Sequence, residues 1–199
     1  MTLLETQIRP ESTALLVVDM QNDFCAQDGY LQRERGYDVS FAPALAERIQ
    51  GLIDAARKVR MPVVWVRSVY DFKYLNAPYR LKRGEEGCCL EGTWGVEFFH
   101  LQPEPDELVV VKHHYSAFFE TDLHARLQSL GVETLVVTGV ATNVCVDSTL
   151  REGFFHGYHI VVPEDCVNSN SKAGHEGTLA TVRNNIGIVC QSETIIALL

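Results

Sequence analysis

Six short apolar runs, rich in valine, isoleucine and leucine, alternate along the chain with segments of helical spacing. The runs cover residues 14–19, 62–67, 108–112, 134–139, 159–165 and 187–191. Because successive residues in these runs are apolar, both faces of each strand need cover, as in a parallel sheet that lies between two layers of helices. The pattern therefore predicts an α/β fold: a three-layer, doubly wound arrangement with a six-stranded, mostly parallel sheet and helices on both faces.

The segments between the strands are predicted to be helices where their apolar residues recur at intervals of three and four. Helices are expected at about 43–60, 121–131, 143–157 and 173–185. In the second of them, Thr121 is the expected N-cap and Gly131 the expected stop. Residues 68–105, which include several glycines and prolines, are expected to form a long irregular loop with a function. The length of 199 residues fits one domain over residues 1–199.

Charge and cysteine content narrow the classes of function. The chain has 17 basic and 26 acidic residues and a formal charge of −9, which disfavours a nucleic acid or an anionic membrane as partner. The first residues do not resemble a secretory signal, and the apolar runs are too short to span a bilayer. The six cysteines form no C-x-x-C pair, so they are expected to be reduced thiols in a cytoplasmic protein.

Three polar residues with reactive side chains lie where predicted strands end. Asp19 ends the first strand, Lys112 ends the third, and Cys145 comes a few residues after the fourth. Ligands of parallel sheets bind outside the carboxyl ends of the strands, so these side chains are expected to converge on one edge. Near the start of the next helix, free N–H groups and the helix dipole favour a thiolate at Cys145 and can hold an oxyanion.

Each of these residues alone also has a plain structural interpretation. Cys145 can be an inert buried thiol, Asp19 can cap a turn, and Lys112 can be a solvated strand end. The three together are far more specific than any one of them.

The motifs of other catalytic chemistries are missing from the sequence. The seven histidines form no H-E-x-x-H, and His156 and His159 are divided between the end of a helix and the start of a strand. The sequence has no GxxxxGK[ST] and no GxSxG, and the glycines near Gly92 lack GxGxxG spacing. Neither a metal nor a cofactor is therefore expected.

The segments around the three reactive residues resemble the signature blocks of the isochorismatase-like cysteine hydrolases. VVDMQNDF surrounds Asp19, VVVKHHYSAF surrounds Lys112, and TGVATNVCVDSTLREGF surrounds Cys145. The resemblance implies that Asp19 accepts and donates the proton, that Lys112 is its electrostatic partner, and that Cys145 is the nucleophile. It also implies a cis peptide between Val140 and Ala141, with the N–H groups of Ala141 and Cys145 as the oxyanion hole.

Within this family the chain looks most like the ureidoacrylate and biuret amidohydrolases, which cleave a ureido or carbamoyl amide. DGYL, GYDVS, GTWG and HYSAFF carry this resemblance. Isochorismatases proper lack a cysteine at the position of Cys145, because vinyl-ether hydrolysis needs no thiol nucleophile. Nicotinamidases carry a metal-binding D-x-H…H arrangement after the second strand, where this chain has Asp71 and no histidine.

A small ureido or carbamoyl amide is therefore the expected substrate, cleaved through an acyl-cysteine intermediate. Two alternatives stay open: a nicotinamidase-like hydrolase of another small amide, and a non-catalytic binding or scaffold subunit on the same fold. The resemblance also implies a homo-oligomer, either a dimer or a tetramer.

Several further residues are candidates for contact with the substrate. Gln21 and Asn22 can hydrogen-bond an amide or form a turn. Phe24 and Trp94 can wall the pocket or pack in the core. Tyr115 is expected in the turn after the third strand. A basic group in the loop can meet a substrate carboxylate or simply be solvated: Arg80, Lys82 and Arg83.

Overall fold

The computed structural model describes residues 2–83 and 87–199, which contain seven strands joined largely by helices. The strands are β1 (Thr13–Val18), β2 (Val63–Ser68), β3 (Leu108–Lys112), β4 (Thr134–Val140), β5 (His159–Pro163), β6 (Val167–Asn168) and β7 (Ile188–Cys190). The helices are α1 (Leu3–Gln7), α2 (Asn22–Cys25), α3 (Tyr30–Arg35), α4 (Ala42–Lys58), α5 (Ala77–Arg83), α6 (Leu123–Ser129), α7 (Asp147–Phe155), α8 (Lys172–Thr181) and α9 (Ser192–Ile196).

The strands form one sheet in the order β3-β2-β1-β4-β5-β7, and every described pairing between these strands is parallel. The six predicted strands are confirmed. The sequence missed β6, which adds two residues beside the carboxyl end of β4. The strand order runs outward in both directions from the pair β1 and β4, so the crevice at their carboxyl ends is where a sheet of this kind binds ligands.

Helices cover both faces of the sheet, which confirms the predicted three layers. On one face Ile49 of α4 shares an apolar core with Leu15 and Trp65. On the other face Leu123 of α6 and Leu150 of α7 pack in a second core with residues of the same strands. All six residues of β1 are buried, as expected for a central strand that is covered on both sides.

The predicted helices were correct in place and inexact at their ends. The N-cap of α6 is Asp122 and not Thr121, although the Thr121 hydroxyl accepts a hydrogen bond from Leu123 N at 3.3 Å. Gly131 follows the helix with φ of 69°, a backbone conformation that glycine adopts without strain. The long irregular segment is not wholly irregular, since it contains α5 and two short 3-10 turns.

Two predicted helices contain a wide π turn. Residues Thr142–Val146 form such a turn directly before α7, and Val182–Ile186 form another directly after α8. A π turn inserts an extra residue into the helical path, and such turns frequently occur at functional sites. None of the helices in the described part of the chain combines the length and the apolar character that a membrane span requires.

Candidate active site

The structure brings Asp19, Lys112 and Cys145 together at the carboxyl ends of β1, β3 and β4. Lys112 Nζ lies 2.8 Å from Asp19 Oδ2, and the thiol of Cys145 lies beside the same carboxylate. Asp19 and Lys112 are 0% exposed and Cys145 is 6% exposed. The interpretation of Lys112 as a solvated strand end is therefore wrong.

The backbone at the ends of β1 and β4 makes this close approach feasible. Asp19 has φ of 52°, a left-handed conformation that aspartate tolerates better than most residues. Gly139, opposite Val18 in the sheet, has φ of 105°, and a Cβ added there would lie 2.0 Å from the Val18 carbonyl oxygen. Only glycine fits at this position, where the two central strands lie side by side.

The ammonium group of Lys112 is held by several acceptors. Nζ donates to Ser68 Oγ at 2.7 Å, to the His114 carbonyl oxygen at 3.0 Å, and to the Tyr70 hydroxyl at 3.2 Å. Ser68 Oγ in turn donates to Asp19 Oδ1 at 2.9 Å. Ser68 and Tyr70 were missed in the sequence, although they lie at and just beyond the carboxyl end of β2, where the same strand-end rule would have found them.

The two oxygens of the Asp19 carboxylate differ in their partners. Oδ1 accepts from Ser68, whereas Oδ2 forms the ion pair with Lys112 but has no directional hydrogen bond from any described residue. Because a carboxylate oxygen has two lone pairs, Oδ2 keeps acceptor capacity next to the Cys145 thiol.

The ionisation of the site is set mainly by burial. Burial and the nearby Asp19 charge raise the pKa of Cys145 to about 12, despite the opposing effect of Lys112. The resting sulfur is therefore a thiol at neutral pH, which corrects the expectation that the start of the helix favours a thiolate. Burial acts to lower the pKa of Lys112, but Asp19 and Cys145 outweigh it, so that pKa lies above its usual value and the ammonium stays charged.

The turn that carries Cys145 is open at its first residues. The N–H groups of Val144 and Val146 both donate to the Ala141 carbonyl oxygen, at 3.0 and 3.3 Å, on either side of Cys145. The peptide between Val140 and Ala141 is cis, as the resemblance implied. Among the residues that the structure describes, no oxygen accepts a hydrogen bond from Ala141 N–H.

A cavity of about 360 Å³ opens over the reactive group. Asp19 and Cys145 lie in its wall, with Phe24 and Tyr115 among the apolar lining. The other lining residues are Leu31, Arg35, Tyr37, Asp38, Val39, Phe41, Tyr70, Lys82, Val140, Ala141, Asn143, Val144, Ser169, Asn170 and Ser171. Of the five predicted substrate contacts, two therefore face the cavity.

The other three predicted contacts do not line the cavity. Gln21 is buried, and its side-chain amide bonds the backbone of Ser68 and of Val96 at 2.8 to 2.9 Å. Asn22 donates to the Trp94 carbonyl oxygen at 2.8 Å, and the Trp94 side chain is 55% exposed. These amides fasten the segment before β3 to the site, and the side-chain N–H groups of both residues donate to backbone carbonyl oxygens of the protein itself.

The structure separates Lys82 from Arg80, two of the three predicted basic residues. Lys82 lines the cavity together with Arg35, which the sequence analysis missed. Arg80 instead donates to the carbonyl oxygens of Leu75 and Lys73. The Arg83 side chain lies outside what the structure describes. Within residues 2–83 and 87–199, no three His, Cys, Asp or Glu side chains are grouped so that they could hold a metal ion.

Residues 13–194 match the Isochorismatase domain family model. The chain belongs to the isochorismatase family. It is similar to ureidoacrylate amidohydrolase RutB of Pantoea ananatis, with 41% identity over 176 residues, which cover 80% of this chain and 70% of the relative.

Two solved structures show the same isochorismatase-like fold. A cysteine hydrolase from Pseudomonas syringae pv. phaseolicola has 27% identity and a TM-score of 0.84, covering 96% of this chain and 94% of the other. N-carbamoylsarcosine amidase from Thermoplasma acidophilum has 27% identity and a TM-score of 0.77, covering 92% and 97%. The similarities confirm the predicted family and enzyme class: the chain is a cysteine-type hydrolase that acts on linear amides.

Proposed function

We propose that this member of the isochorismatase family hydrolyses the C–N bond of a small ureido or carbamoyl acid, with Asp19, Lys112 and Cys145 as its catalytic residues. The observation that carries the proposal is the buried ion pair between Lys112 and Asp19 beside the Cys145 thiol; Asp19 and Cys145 lie in the wall of a cavity of about 360 Å³. The ureido group comes from the similarity to ureidoacrylate amidohydrolases.

In the first step the Cys145 sulfur attacks the substrate carbonyl carbon. The thiol proton passes to Asp19 Oδ2, the oxygen that has no directional hydrogen bond from the described residues. Proton transfer must accompany attack, because burial keeps the pKa of Cys145 at about 12. Lys112 remains an ammonium and stabilises the negative charge that moves from the carboxylate to the sulfur and then to the substrate oxygen.

The N–H groups of Ala141 and Cys145 are the proposed oxyanion hole. Two observations support it: the Ala141 N–H has no acceptor among the described residues, and the Ala141 carbonyl takes its hydrogen bonds from Val144 and Val146 rather than from Cys145. Backbone donors fixed before the reaction stabilise a tetrahedral intermediate without reorganisation of the site.

The tetrahedral intermediate collapses when Asp19 gives its proton to the leaving nitrogen, which breaks the C–N bond and leaves an acyl group on Cys145. Asp19, again a carboxylate, then takes a proton from the water that attacks the acyl carbon. The sulfur leaves and recovers the proton from Asp19. The sum of the steps is one amide and one water converted to one acid and one amine, with no cofactor.

The cavity itself supports an acidic substrate. Arg35 of α3 and Lys82 of α5 line it, together with Asp38 and with Asp19, whose charge is paired with Lys112. Either Arg35 or Lys82 can form an ion pair with a substrate carboxylate there, although the overall charge of the chain is −9. A volume of about 360 Å³ is near the lower limit for ligand sites, as a small substrate requires.

The test is ammonia release from ureidoacrylate, biuret, N-carbamoyl amino acids and nicotinamide. Wild type is compared with Cys145→Ala and with Cys190→Ala, a control that removes a partly buried thiol outside the cavity. We expect turnover of a ureido or carbamoyl compound by wild type and Cys190→Ala, and none by Cys145→Ala. Turnover of nicotinamide alone would favour the nicotinamidase-like alternative, and no turnover of any compound by a folded protein would favour the scaffold alternative.

We also infer that the enzyme is a single-domain protein that works in the cytoplasm as a homodimer or homotetramer. Its six cysteines are free thiols, which fits a reducing compartment. Leu81 and Phe155 are 90% and 79% exposed, and large exposed apolar side chains are common at subunit contacts. Sedimentation velocity at several concentrations tests the assembly, and a monomer at all of them would overturn it.

A further inference from the structure

The hydroxyl of Tyr70 lies between the ammonium and the thiol of the site. It is 3.2 Å from Lys112 Nζ, 3.6 Å from Cys145 Sγ and 3.2 Å from the His114 carbonyl oxygen. The residue is 3% exposed and lines the cavity. The hydroxyl therefore contacts the reacting sulfur from within the protein and does not depend on solvent.

We propose that Tyr70 is a fourth catalytic residue, whose hydroxyl donates a hydrogen bond to the Cys145 sulfur when that sulfur is negatively charged. The proposal rests on the proposed function only in taking Cys145 as the nucleophile. It assigns Tyr70 a task that Asp19 and Lys112 do not perform.

The hydrogen-bond donors around Tyr70 determine the direction of its own bond. Lys112 Nζ has no acceptor capacity, so it donates to the Tyr70 oxygen and leaves the Tyr70 hydrogen for another partner. Two acceptors are within reach, the His114 carbonyl oxygen and Cys145 Sγ. A neutral thiol is a weak acceptor and a thiolate a strong one, so the hydroxyl turns from His114 to the sulfur as charge develops there.

Tyr70 keeps its proton throughout this exchange. Burial raises the pKa of Tyr70 well above its usual value, and the neighbouring Cys145 and Asp19 raise it further. The hydroxyl therefore acts as a hydrogen-bond donor and not as a proton carrier, so the proton balance of the two half-reactions is unchanged.

The donor is useful because Asp19 assists the sulfur only when the sulfur gives up or recovers its proton. Between those two events the negative charge on the sulfur is stabilised by positive charge and by hydrogen bonds. Lys112 polarises the Tyr70 hydroxyl, which transmits the positive field to Cys145. The same bond assists again when the sulfur leaves in the second half-reaction.

The ring of Tyr70 is held so that its hydroxyl needs no rearrangement. Its centroid lies 5.4 Å from that of Tyr79, 6.3 Å from Phe24 and 6.5 Å from Tyr115. Its backbone N–H donates to the Cys88 carbonyl oxygen at 3.2 Å. Preorganised donors of this kind stabilise developing charge most effectively.

The test measures the reactivity of Cys145 without any substrate. Iodoacetamide alkylation of the Cys145 peptide is followed by mass spectrometry against pH in wild type, Tyr70→Phe and Tyr158→Phe. Tyr158 is a matched control, because its hydroxyl bonds His124 and not the site. We expect Tyr70→Phe to react about 10- to 100-fold more slowly near neutral pH, with a profile displaced by about one unit or more to higher pH. A wild-type rate and profile in Tyr70→Phe would overturn the proposal.

A second measurement replaces the first if the Tyr70→Phe protein does not fold, which thermal unfolding would reveal. Incorporation of 3-fluorotyrosine at position 70 keeps the ring and makes the hydroxyl a stronger donor, so the profile should move to lower pH. An unchanged profile would overturn the proposal by itself. Alkylation needs no substrate, so failure to turn over ureido compounds would leave the proposal for Tyr70 standing. Conversely, an unchanged alkylation profile together with normal turnover of ureido compounds would overturn the proposal for Tyr70 and leave the proposed function standing.

Discussion

Strand β3 has an ion pair at each end, and the two pairs differ in what surrounds them. At the carboxyl end Lys112 Nζ lies 2.8 Å from Asp19 Oδ2, and at the amino end Arg57 Nε lies 2.8 Å from Glu107 Oε1. The Glu107 carboxylate also accepts from the indole N–H of Trp65 and from the Glu104 backbone. The Asp19 carboxylate keeps one oxygen without a directional hydrogen bond among the described residues.

The structural ion pair and the reactive one differ in features other than the distance between their charges or the size of the adjacent cavity. The cavity next to Arg57 and Glu107 is the larger, about 620 Å³ against 360 Å³, yet the residues that line it include no cysteine. At the Asp19 end the pair lies beside the thiol of Cys145. A free lone pair and an adjacent nucleophile are what make an ion pair capable of proton transfer.

The largest expected effect compares the same chemical change at the two ends of β3. Asp19→Asn removes the base and should lower kcat/KM by about 10²- to 10⁴-fold. Glu107→Gln should leave kcat/KM within about twofold of wild type, because Glu107 is outside the cavity of the site. Initial rates on the best substrate of the ammonia panel measure both. Similar losses in the two variants would mean that the Asp19 pair has only a structural role.

The free energy of unfolding should depend mainly on the ion pair at the amino end of β3, between Arg57 and Glu107. Glu107→Gln breaks the charged hydrogen bonds with Arg57 and should lower the free energy of unfolding by about 1.5–3 kcal/mol. Burial acts to raise the pKa of Glu107, but its bonds to Arg57, Glu104 and Trp65 outweigh burial, and the pKa is lowered. A lowered carboxyl pKa gives stability that is present above the unfolded value of about 4.3 and is lost as the pH falls through the folded pKa.

Urea unfolding against pH checks this sign. The difference between wild type and Glu107→Gln should be constant near neutral pH and should shrink below about pH 4. A difference that grew on acidification would contradict the assignment of Glu107 as the stabilising carboxylate.

The sequence was informative where a feature is local. The apolar runs predicted six strands, and the strand-end rule brought Asp19, Lys112 and Cys145 to one place, because parallel strands share the edge at which they end. The strands and their shared edge need only the chain direction and the order of residues. The cis peptide between Val140 and Ala141, by contrast, was implied by the resemblance to the isochorismatase-like hydrolases.

The features that the sequence missed depend on tertiary contacts. Strand β6 has two residues, too few for a pattern, and exists because it pairs with the end of β4. Gln21 lies close to Asp19 in sequence, but the chain turns there and the amide meets the backbone of Ser68 and Val96. Arg35 reaches the cavity from the end of α3, far in sequence from Asp19, Lys112 and Cys145 in their strand-end positions.

The pH dependence of the Cys145 thiol is the next effect in size. Burial raises its pKa to about 12, so the thiolate fraction of the free enzyme should rise about tenfold per pH unit up to about pH 10. Alkylation by iodoacetamide should follow this slope. Cys145 thus differs from a cysteine at an exposed helix start, which would level off near neutral pH, and a plateau there would contradict a resting thiol.

The smallest expected effect concerns the cations of the cavity. Arg35→Gln removes one positive charge, and because Arg35 is exposed its contact with a substrate carboxylate is partly screened, so KM should rise only about fivefold. The rise should appear for ureidoacrylate and not for biuret, which has no carboxylate. Arg33→Gln, on the same helix but outside the cavity lining, is the control for a general loss of positive charge. An equal rise in KM for biuret would show that Arg35 shapes the cavity without selecting the acid, and the specificity would then depend on Lys82.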